Sequence, residues 1–170
     1  MEKIIIIGDL HGRIIWKKIV EDNPDANLFI FMGDYFDSFD IGTMEQMHNF
    51  RDIIAFRKDN PDKVITLLGN HDYHYTSGCI GSYSGFDYSI MFNMRLELDD
   101  LIKEGVLIMA HQIGNYLFTH AGVTTECRKV IRDVSCQITQ HTPNFDHFHV
   151  INRWTLAIYP AGCLQVTNHK

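Results

Sequence analysis

The chain has 170 residues, enough for a sizeable core, and its composition indicates neither disorder nor a fibrous protein, so we expect a single domain over residues 1–170. Its formal net charge of −6, with acidic residues along most of its length, argues against nucleic acid as a partner. No apolar stretch reaches the roughly 20 residues that span a bilayer, and four cysteines without close spacing indicate free thiols, so we expect a cytoplasmic protein without a membrane partner.

Short apolar runs in the first half of the chain predict three buried strands, at Ile4–Ile7, Leu28–Met32 and Val64–Leu68. The segments between them, residues 14–20 and 43–57, carry apolar residues at helical spacing. Strand and helix therefore alternate, which predicts an α/β fold built from βαβ units.

The second half of the chain is less regular. Residues 73–85 are rich in Gly, Ser and Tyr and predict a long loop, and residues 86–103 then fit a helix. Val106–Met109 and Tyr116–Thr119 predict a hairpin in a second sheet. Residues 137–170 form an atypical tail with few charged residues, for which no structure is predicted.

A short motif with acidic and histidine residues directly follows each of the three predicted strands. The motifs are Gly8-Asp9-Leu10-His11-Gly12, Gly33-Asp34-Tyr35-Phe36-Asp37 and Gly69-Asn70-His71-Asp72. Ligands of open α/β sheets bind outside the carboxyl ends of the strands, so these motifs are expected to share one crevice. A further histidine, His120, ends the predicted hairpin.

Five of these residues are the predicted metal ligands. Asp9 and His11 lie two residues apart on a turn flanked by glycines, and can bind one cation. Asp34 can bridge two cations about 3.5–4 Å apart, because a carboxylate has two oxygens. The side-chain oxygen of Asn70 and a ring nitrogen of His120 would bind the second cation. Carboxylate, amide and imidazole ligands suit Mn, with Fe and Zn as alternatives, so we expect two divalent or trivalent ions as cofactors.

The remaining motif residues suit the hydrolysis of a phosphoester. Paired metals lower the pKa of a bridging water and neutralise phosphate oxygens, which leaves the departing oxygen to be protonated. His71 is placed to supply that proton, and Asp37 to hold its ring, so this pair is the predicted catalytic pair. Asp72 is predicted to support the loop, and Arg13 is a candidate for gripping phosphate.

These motifs resemble the signature of the calcineurin-like metallophosphoesterase superfamily, which reads D-x-H, G-D-x-x-D and G-N-H-D/E, followed by single histidines. The second motif and Thr119-His120-Ala121-Gly122 are similar to the phosphoprotein phosphatase branch of serine/threonine phosphatases. The resemblance covers roughly residues 3 to 125. It implies an α/β/β/α sandwich of two mixed sheets flanked by helices, with a Mn or Fe pair at the strand ends.

Two departures from the family pattern affect the expected function. Ser38 and Leu68 stand where protein phosphatases of this branch carry arginines that grip the substrate phosphate. The superfamily also supplies a late histidine ligand in a Gly-His motif, for which His141, without the glycine, is a weak match. The sequence therefore leaves open whether the last ligand and part of the second sheet are present. Truncation, a frameshift near residues 126–136 or a divergent tail would each account for their loss.

Three functions follow from these observations. The first is metal-dependent hydrolysis of a phosphate monoester, in a phosphorylated protein or small molecule, with phosphoserine or phosphothreonine in a protein as one candidate substrate. The second, favoured by the missing arginines, is a nucleotide phosphodiesterase or dinucleoside polyphosphate hydrolase. The third is a catalytically inactive remnant that keeps the fold and serves as a binding module.

Overall fold

A computed structural model describes residues 3–79, 81–114 and 116–121, together with the backbone of two strands at 149–151 and 163–167. The helices are α1 (Ile15–Asp22), α2 (Thr43–Asp59), α3 (Asn70–Tyr73) and α4 (Met91–Lys103). The strands are β1 (Lys3–Ile7), β2 (Leu28–Phe31), β3 (Val64–Leu67), β4 (Leu107–Ile108), β5 (Ala110–Ile113), β6 (Tyr116–Thr119), β7 (His149–Ile151) and β8 (Cys163–Thr167).

The first sheet contains five strands in the order β4-β3-β2-β1-β8. Strands β1 to β4 run parallel to their neighbours, whereas β8 pairs antiparallel with β1, so the sheet is mixed. Strand β1 is almost entirely isoleucine because both of its faces are covered. Ile5 and Ile7 belong to a core cluster with residues of α1, α2 and α4, while Ile4 and Ile6 pack in a second cluster with Phe118.

The second sheet contains β5, β6 and β7 in that order. Strand β5 is antiparallel to β6 and β7 is parallel to it, so this sheet is also mixed. Because Phe118 lies in β6, the second cluster joins the two sheets face to face. The described residues thus form the helix, sheet and sheet layers of an α/β/β/α sandwich, and the predicted fold class is confirmed.

The predicted elements of the first half agree with the structure to within two residues at each end. The predicted helix at 86–103 begins later, at Met91. Strands β7 and β8 come from the tail at 137–170, for which the sequence carried no interpretable pattern. That the whole chain forms a single domain stays a prediction.

The predicted hairpin is wrong in its first strand. The sequence predicts that residues 106–109 belong to the second sheet, but Leu107–Ile108 pair parallel with β3 in the first sheet. The true partner of β6 is Ala110–Ile113, with Ala110 opposite Thr119. The apolar run marked a buried strand correctly, since Leu107 is fully buried, but it did not reveal that the chain changes sheets one residue later.

Two further properties concern the chain's surroundings. Within the described part of the chain, no helix combines the length and apolar character needed to span a bilayer. Cys79 is a free thiol. The side chains of the other cysteines, together with His141, lie outside the described residues.

Candidate metal centre and catalytic pair

The first two motifs are joined through their backbones. Strands β1 and β2 are parallel neighbours, so the loops that follow them leave the same edge of the sheet. The carbonyl oxygen of Asp34 accepts the N–H groups of Leu10 (3.1 Å) and His11 (2.8 Å), and that of Tyr35 accepts the N–H of Gly12 (2.8 Å). The loop that carries Asp9 and His11 is therefore held against the loop that carries Asp34.

Asp72 joins the second motif to the third. Its buried carboxylate accepts backbone N–H groups from Asp34 (2.8 Å), Tyr35 (2.7 Å) and Gly69 (2.8 Å). Burial, and next the charge of Asp34, raises the pKa of Asp72 to about 7, while its backbone hydrogen bonds act in the opposite direction. This geometry gives Asp72 the supporting position that the sequence predicted for it.

Three residues of these loops adopt left-handed backbone conformations without being glycine. They are His11 (φ 43°), Asp34 (φ 58°) and Asp37 (φ 66°). Such residues cost on the order of 1–3 kcal/mol each and cluster at functional sites. Each of them is also a predicted ligand or catalytic residue, so the strained positions coincide with the candidate site.

The loops bring Asp9, Asp34 and His120 together. One ligand atom of each lies within 4.8 Å of the others, with Asp34 and His120 buried and Asp9 exposed. The Nδ1–H of His120 donates to the carbonyl oxygen of Met32 (2.7 Å), which turns Nε2 towards Asp34 Oδ2 (3.3 Å) and Asn70 Oδ1 (2.8 Å). Four of the five predicted ligands therefore face one another.

The electrostatics of this cluster favour a positive charge. Burial would raise the pKa of Asp34, but the hydrogen bond and charge of His120 outweigh it and the pKa is lowered. Burial likewise opposes the charge on His120, and the hydrogen bond to Asp34 raises its pKa nevertheless. Both pKa shifts have one cause, the attraction between the Asp34 carboxylate and a positively charged His120 ring.

His11, the fifth predicted ligand, lies outside the group that converges within 4.8 Å. Its Nδ1–H donates to the carbonyl oxygen of Phe36 (2.6 Å), and its ring meets that of His71 edge to face with centroids 5.1 Å apart. The structure thus places His11 beside the predicted proton donor. Its role as a ligand stays a prediction.

His71 and Asp37 form a hydrogen-bonded pair. His71 Nδ1 lies 2.8 Å from Asp37 Oδ2, and the carboxylate is fully buried, whereas part of the imidazole is exposed. The hydrogen bond to Asp37 raises the pKa of His71, against the effect of burial, and the charge of Asp34 raises it further. Because its pKa is raised, His71 stays protonated at a higher pH than an ordinary histidine, as a general acid requires.

Two tyrosines near this pair were missed from the sequence. Tyr75 donates its hydroxyl to Asp37 Oδ1 (2.7 Å). Tyr83 stacks on His74 with ring centroids 4.0 Å apart and also contacts His71 at 4.9 Å. Both residues belong to the loop predicted at residues 73–85, but no local pattern distinguishes them from its third tyrosine, Tyr73.

Arg13 is engaged in a surface ion pair. Its guanidinium contacts both carboxylate oxygens of Asp40 (3.1 and 3.2 Å), and Asp40 also accepts the hydroxyl of Ser38 (2.6 Å). About half of the Arg13 side chain is exposed. A phosphate-binding role for Arg13 would require it to leave or share Asp40, and it stays a prediction.

Comparison with known proteins defines the class of this chain. Residues 2–155 match the model of a family described as calcineurin-like phosphoesterase. The chain therefore belongs to the calcineurin-like phosphoesterase family, as its motifs and fold indicated.

The relatives of the chain carry two kinds of name. A symmetrical bis(5'-nucleosyl)-tetraphosphatase of Haemophilus ducreyi is 28% identical over 130 residues, which cover 71% of this chain and 45% of the relative. The serine/threonine-protein phosphatase 4 catalytic subunit of Eremothecium gossypii is 21% identical and is matched over 95% of this chain and 54% of its own length. The chain thus spans about half the length of the curated relatives it matches.

Solved structures show the same fold. A cold-active protein-tyrosine phosphatase of Shewanella superposes with a TM-score of 0.50 at 15% identity, over 78% of this chain and 45% of that one. At this identity the similarity concerns the fold alone.

Proposed function

We propose that this chain hydrolyses a phosphate monoester with the help of two metal ions. The observation that carries the proposal is the convergence of Asp9, Asp34 and His120 within 4.8 Å of one another, with Asp34 also accepting the backbone N–H of His71, the partner of Asp37. Membership of the phosphoesterase family supports the same chemistry.

The donor set fits hard or borderline divalent cations. Two carboxylates and an imidazole converge, with an amide oxygen 2.8 Å from that imidazole, and such ligands suit Mn, Fe or Zn. Asp9, His11 and Asp34 would hold one ion, and Asp34, Asn70 and His120 the other. When bound, a metal pair lowers the pKa of a water to near neutrality and neutralises phosphate oxygens.

The chain's own groups manage the proton of the leaving oxygen. Because Asp37 accepts the Nδ1–H of His71, the proton available for transfer is the one on Nε2 of the imidazolium. As the bond from phosphorus to the ester oxygen breaks, His71 gives this proton to that oxygen and becomes neutral. The Nδ1–H of His71 stays hydrogen-bonded to Asp37, so the ring keeps its orientation throughout.

A second substrate class is favoured by a specific observation. The relative from Haemophilus ducreyi is named for a dinucleoside tetraphosphate, and Ser38 and Leu68 replace the arginines of protein phosphatases. Either substrate class presents a phosphoryl group, so the proposed metal ligands and proton donor would serve both.

The test measures metal content and turnover together. The full chain would be loaded with Mn, its metal counted per chain, and its rates measured on 4-nitrophenyl phosphate, bis(4-nitrophenyl) phosphate and diadenosine tetraphosphate. Asp34→Asn is the test variant. Asp25→Asn, which changes an exposed aspartate paired with Lys3, is the matched control.

We expect two metals per chain and turnover that falls more than about 100-fold in Asp34→Asn, beyond what loss of an outer-shell partner costs. The control should keep both properties. A preference for diadenosine tetraphosphate would select the second substrate class. Fewer than two metals with no turnover above the Asp34→Asn variant would contradict the proposal and favour the inactive binding module.

A further inference from the structure

Tyr75 connects the His71–Asp37 pair to a neighbouring loop. Its ring is 1% exposed, and its hydroxyl lies 2.7 Å from Asp37 Oδ1 and 2.9 Å from the backbone nitrogen of Asp87. Asp37 Oδ2 is the atom that accepts Nδ1–H of His71. Each oxygen of the buried Asp37 carboxylate therefore has its own short hydrogen bond.

The direction of these bonds follows from elementary chemistry. A backbone N–H can only donate, so the oxygen of Tyr75 accepts a hydrogen bond from Asp87. The hydroxyl of Tyr75 therefore donates its own hydrogen bond to Asp37. Burial raises the pKa of Tyr75 well above its ordinary value of 10.0, and the phenol stays protonated at any physiological pH. With Oδ1 occupied in this way, Oδ2 is left to receive His71.

Packing holds Tyr75 in this orientation. Its ring stacks on Phe86 with centroids 4.2 Å apart and meets Phe36 edge to face at 5.5 Å. Gly85 adopts φ 89°, and a Cβ there would lie 2.7 Å from the carbonyl oxygen of Asp37. The backbone at 85–87 thus lies directly against Asp37, and the phenol cannot swing away without displacing it.

We infer that Tyr75 is a positioning residue for the proton-transfer step: by fixing the carboxylate of Asp37 it fixes the ring of the proton donor His71. The inference rests on the proposed function. It adds a residue outside the three strand-end motifs, because the hydroxyl of Tyr75 is bonded to Asp37 and to the backbone of Asp87 and would act through Asp37.

The test exploits the dependence of a general acid on its leaving group. Tyr75→Phe removes the hydroxyl and keeps the ring, so Asp37 Oδ1 loses this donor while the packing of the ring is preserved. Hydrolysis of 4-nitrophenyl phosphate releases 4-nitrophenolate, a stable anion that needs little protonation. Hydrolysis of glycerol 2-phosphate would release a strongly basic alkoxide, so its leaving oxygen needs a proton. A positioned acid contributes about 10²–10⁴-fold to such a step.

We expect Tyr75→Phe to lower kcat on glycerol 2-phosphate about tenfold, the effect of one hydrogen bond to a charged group, and kcat on 4-nitrophenyl phosphate less than about threefold. KM should stay within about twofold on both, since the inferred role concerns the proton-transfer step and not substrate binding. The matched control is Tyr35→Phe, which removes another buried hydroxyl, bonded to the carbonyl oxygen of Leu67 (3.0 Å). It should leave the ratio of the two rates unchanged.

A double variant separates positioning from general damage. Asp37→Asn should itself raise the preference for 4-nitrophenyl phosphate, and adding Tyr75→Phe should raise it no further if Tyr75 acts through Asp37. Equal losses on both substrates in Tyr75→Phe, or additive effects with Asp37→Asn, would overturn the inference alone. An unchanged ratio in Asp37→Asn would overturn the inference together with the role of the His71–Asp37 pair, whereas a wild type without metal-dependent turnover would overturn the proposed function itself.

A measurement on the wild-type protein keeps the inference testable if Tyr75→Phe does not fold. A buried phenol proton that is hydrogen-bonded to a carboxylate exchanges slowly with water. The hydroxyl proton of Tyr75 should therefore be visible by NMR, with a cross peak to the amide proton of Asp87. In Asp37→Asn this proton should shift. Its absence from the wild-type spectrum would overturn the inference.

Discussion

Gly33 offers the sharpest test of how the strand-end loops are held together. Its φ is 101°, and a Cβ added there would lie 2.6 Å from the Cα of Gly69. Gly105 is a natural control, because it also has a positive φ (71°) but its added Cβ would meet nothing within 4 Å. Comparing Gly33→Ala with Gly105→Ala therefore separates the backbone penalty from the contact between the loops.

The expected difference follows from the contacts. Both variants also force alanine into a positive-φ conformation, which costs about 1–2 kcal/mol in the left-handed region. The added Cβ would lie closer still to the backbone nitrogen of Gly69, so the loops of Gly33 and Gly69 must separate by at least about 0.8 Å to restore the ordinary contact distance of 3.4 Å. That movement stretches the hydrogen bonds of Asp72 to Asp34 and Gly69, now 2.8 Å each. Above its pKa of about 7 Asp72 is charged, and hydrogen bonds to a charged group are worth about 1.5–3 kcal/mol.

We therefore expect Gly33→Ala to lose at least about 3 kcal/mol more free energy of unfolding than Gly105→Ala, a large part of a domain's usual stability. Urea unfolding of both variants measures the difference, and metal content per chain shows whether the ligands have moved. Equal losses of stability in the two variants would refute the view that the loops are in tight contact at Gly33.

Two other predictions concern single side chains. Asp72→Asn should lower the urea midpoint and the metal content together, because an amide has one oxygen and cannot accept all three backbone N–H groups; metal content equal to wild type would contradict this. Burial, and next the charge of Arg57, lowers the pKa of His111, so its contribution to stability is fully present above the ordinary value of 6.5 and is lost as pH falls through the folded-state pKa. His111→Gln should flatten the fall of the urea midpoint below pH 6.5, and an unchanged slope would contradict the assignment.

The placement of the strands was predictable because parallel strands are buried on both faces. Such strands are continuous apolar runs, so Ile4–Ile7 and Val64–Leu68 mark β1 and β3 to within one residue. The motifs at the ends of the predicted strands could then be assigned to one edge of the sheet from topology alone.

Where the chain changes sheets, the sequence was less informative. Strands β4 and β5 are separated only by Met109, and β5 contains the polar pair His111 and Gln112. Apolar character predicts burial, but not which neighbour a short strand pairs with. The pairing of β8 with β1 joins the two ends of the chain, for example Ile5 with Gln165, and no local pattern encodes such a contact.

The support of the site was also beyond local reasoning. Asp37 and Tyr75 are 38 residues apart, and their contact depends on how two loops pack after folding. The positive φ of Asp34 and Asp37 has no local signal either, because both are aspartates where such a conformation favours glycine.

These strained aspartates show what determines the geometry of the site. Local preference opposes their conformation by on the order of 1–3 kcal/mol each, so bonds between the loops must maintain it. Asp34 is held at its N–H by Asp72 and at its carbonyl oxygen by the backbone N–H of His11, and its carboxylate Oδ1 accepts the backbone N–H of His71 (2.9 Å). A direct hydrogen bond thus links the side chain of the predicted bridging ligand to the backbone of the predicted proton donor. We therefore expect a change that frees one loop to disturb both predicted functions, metal binding and proton donation.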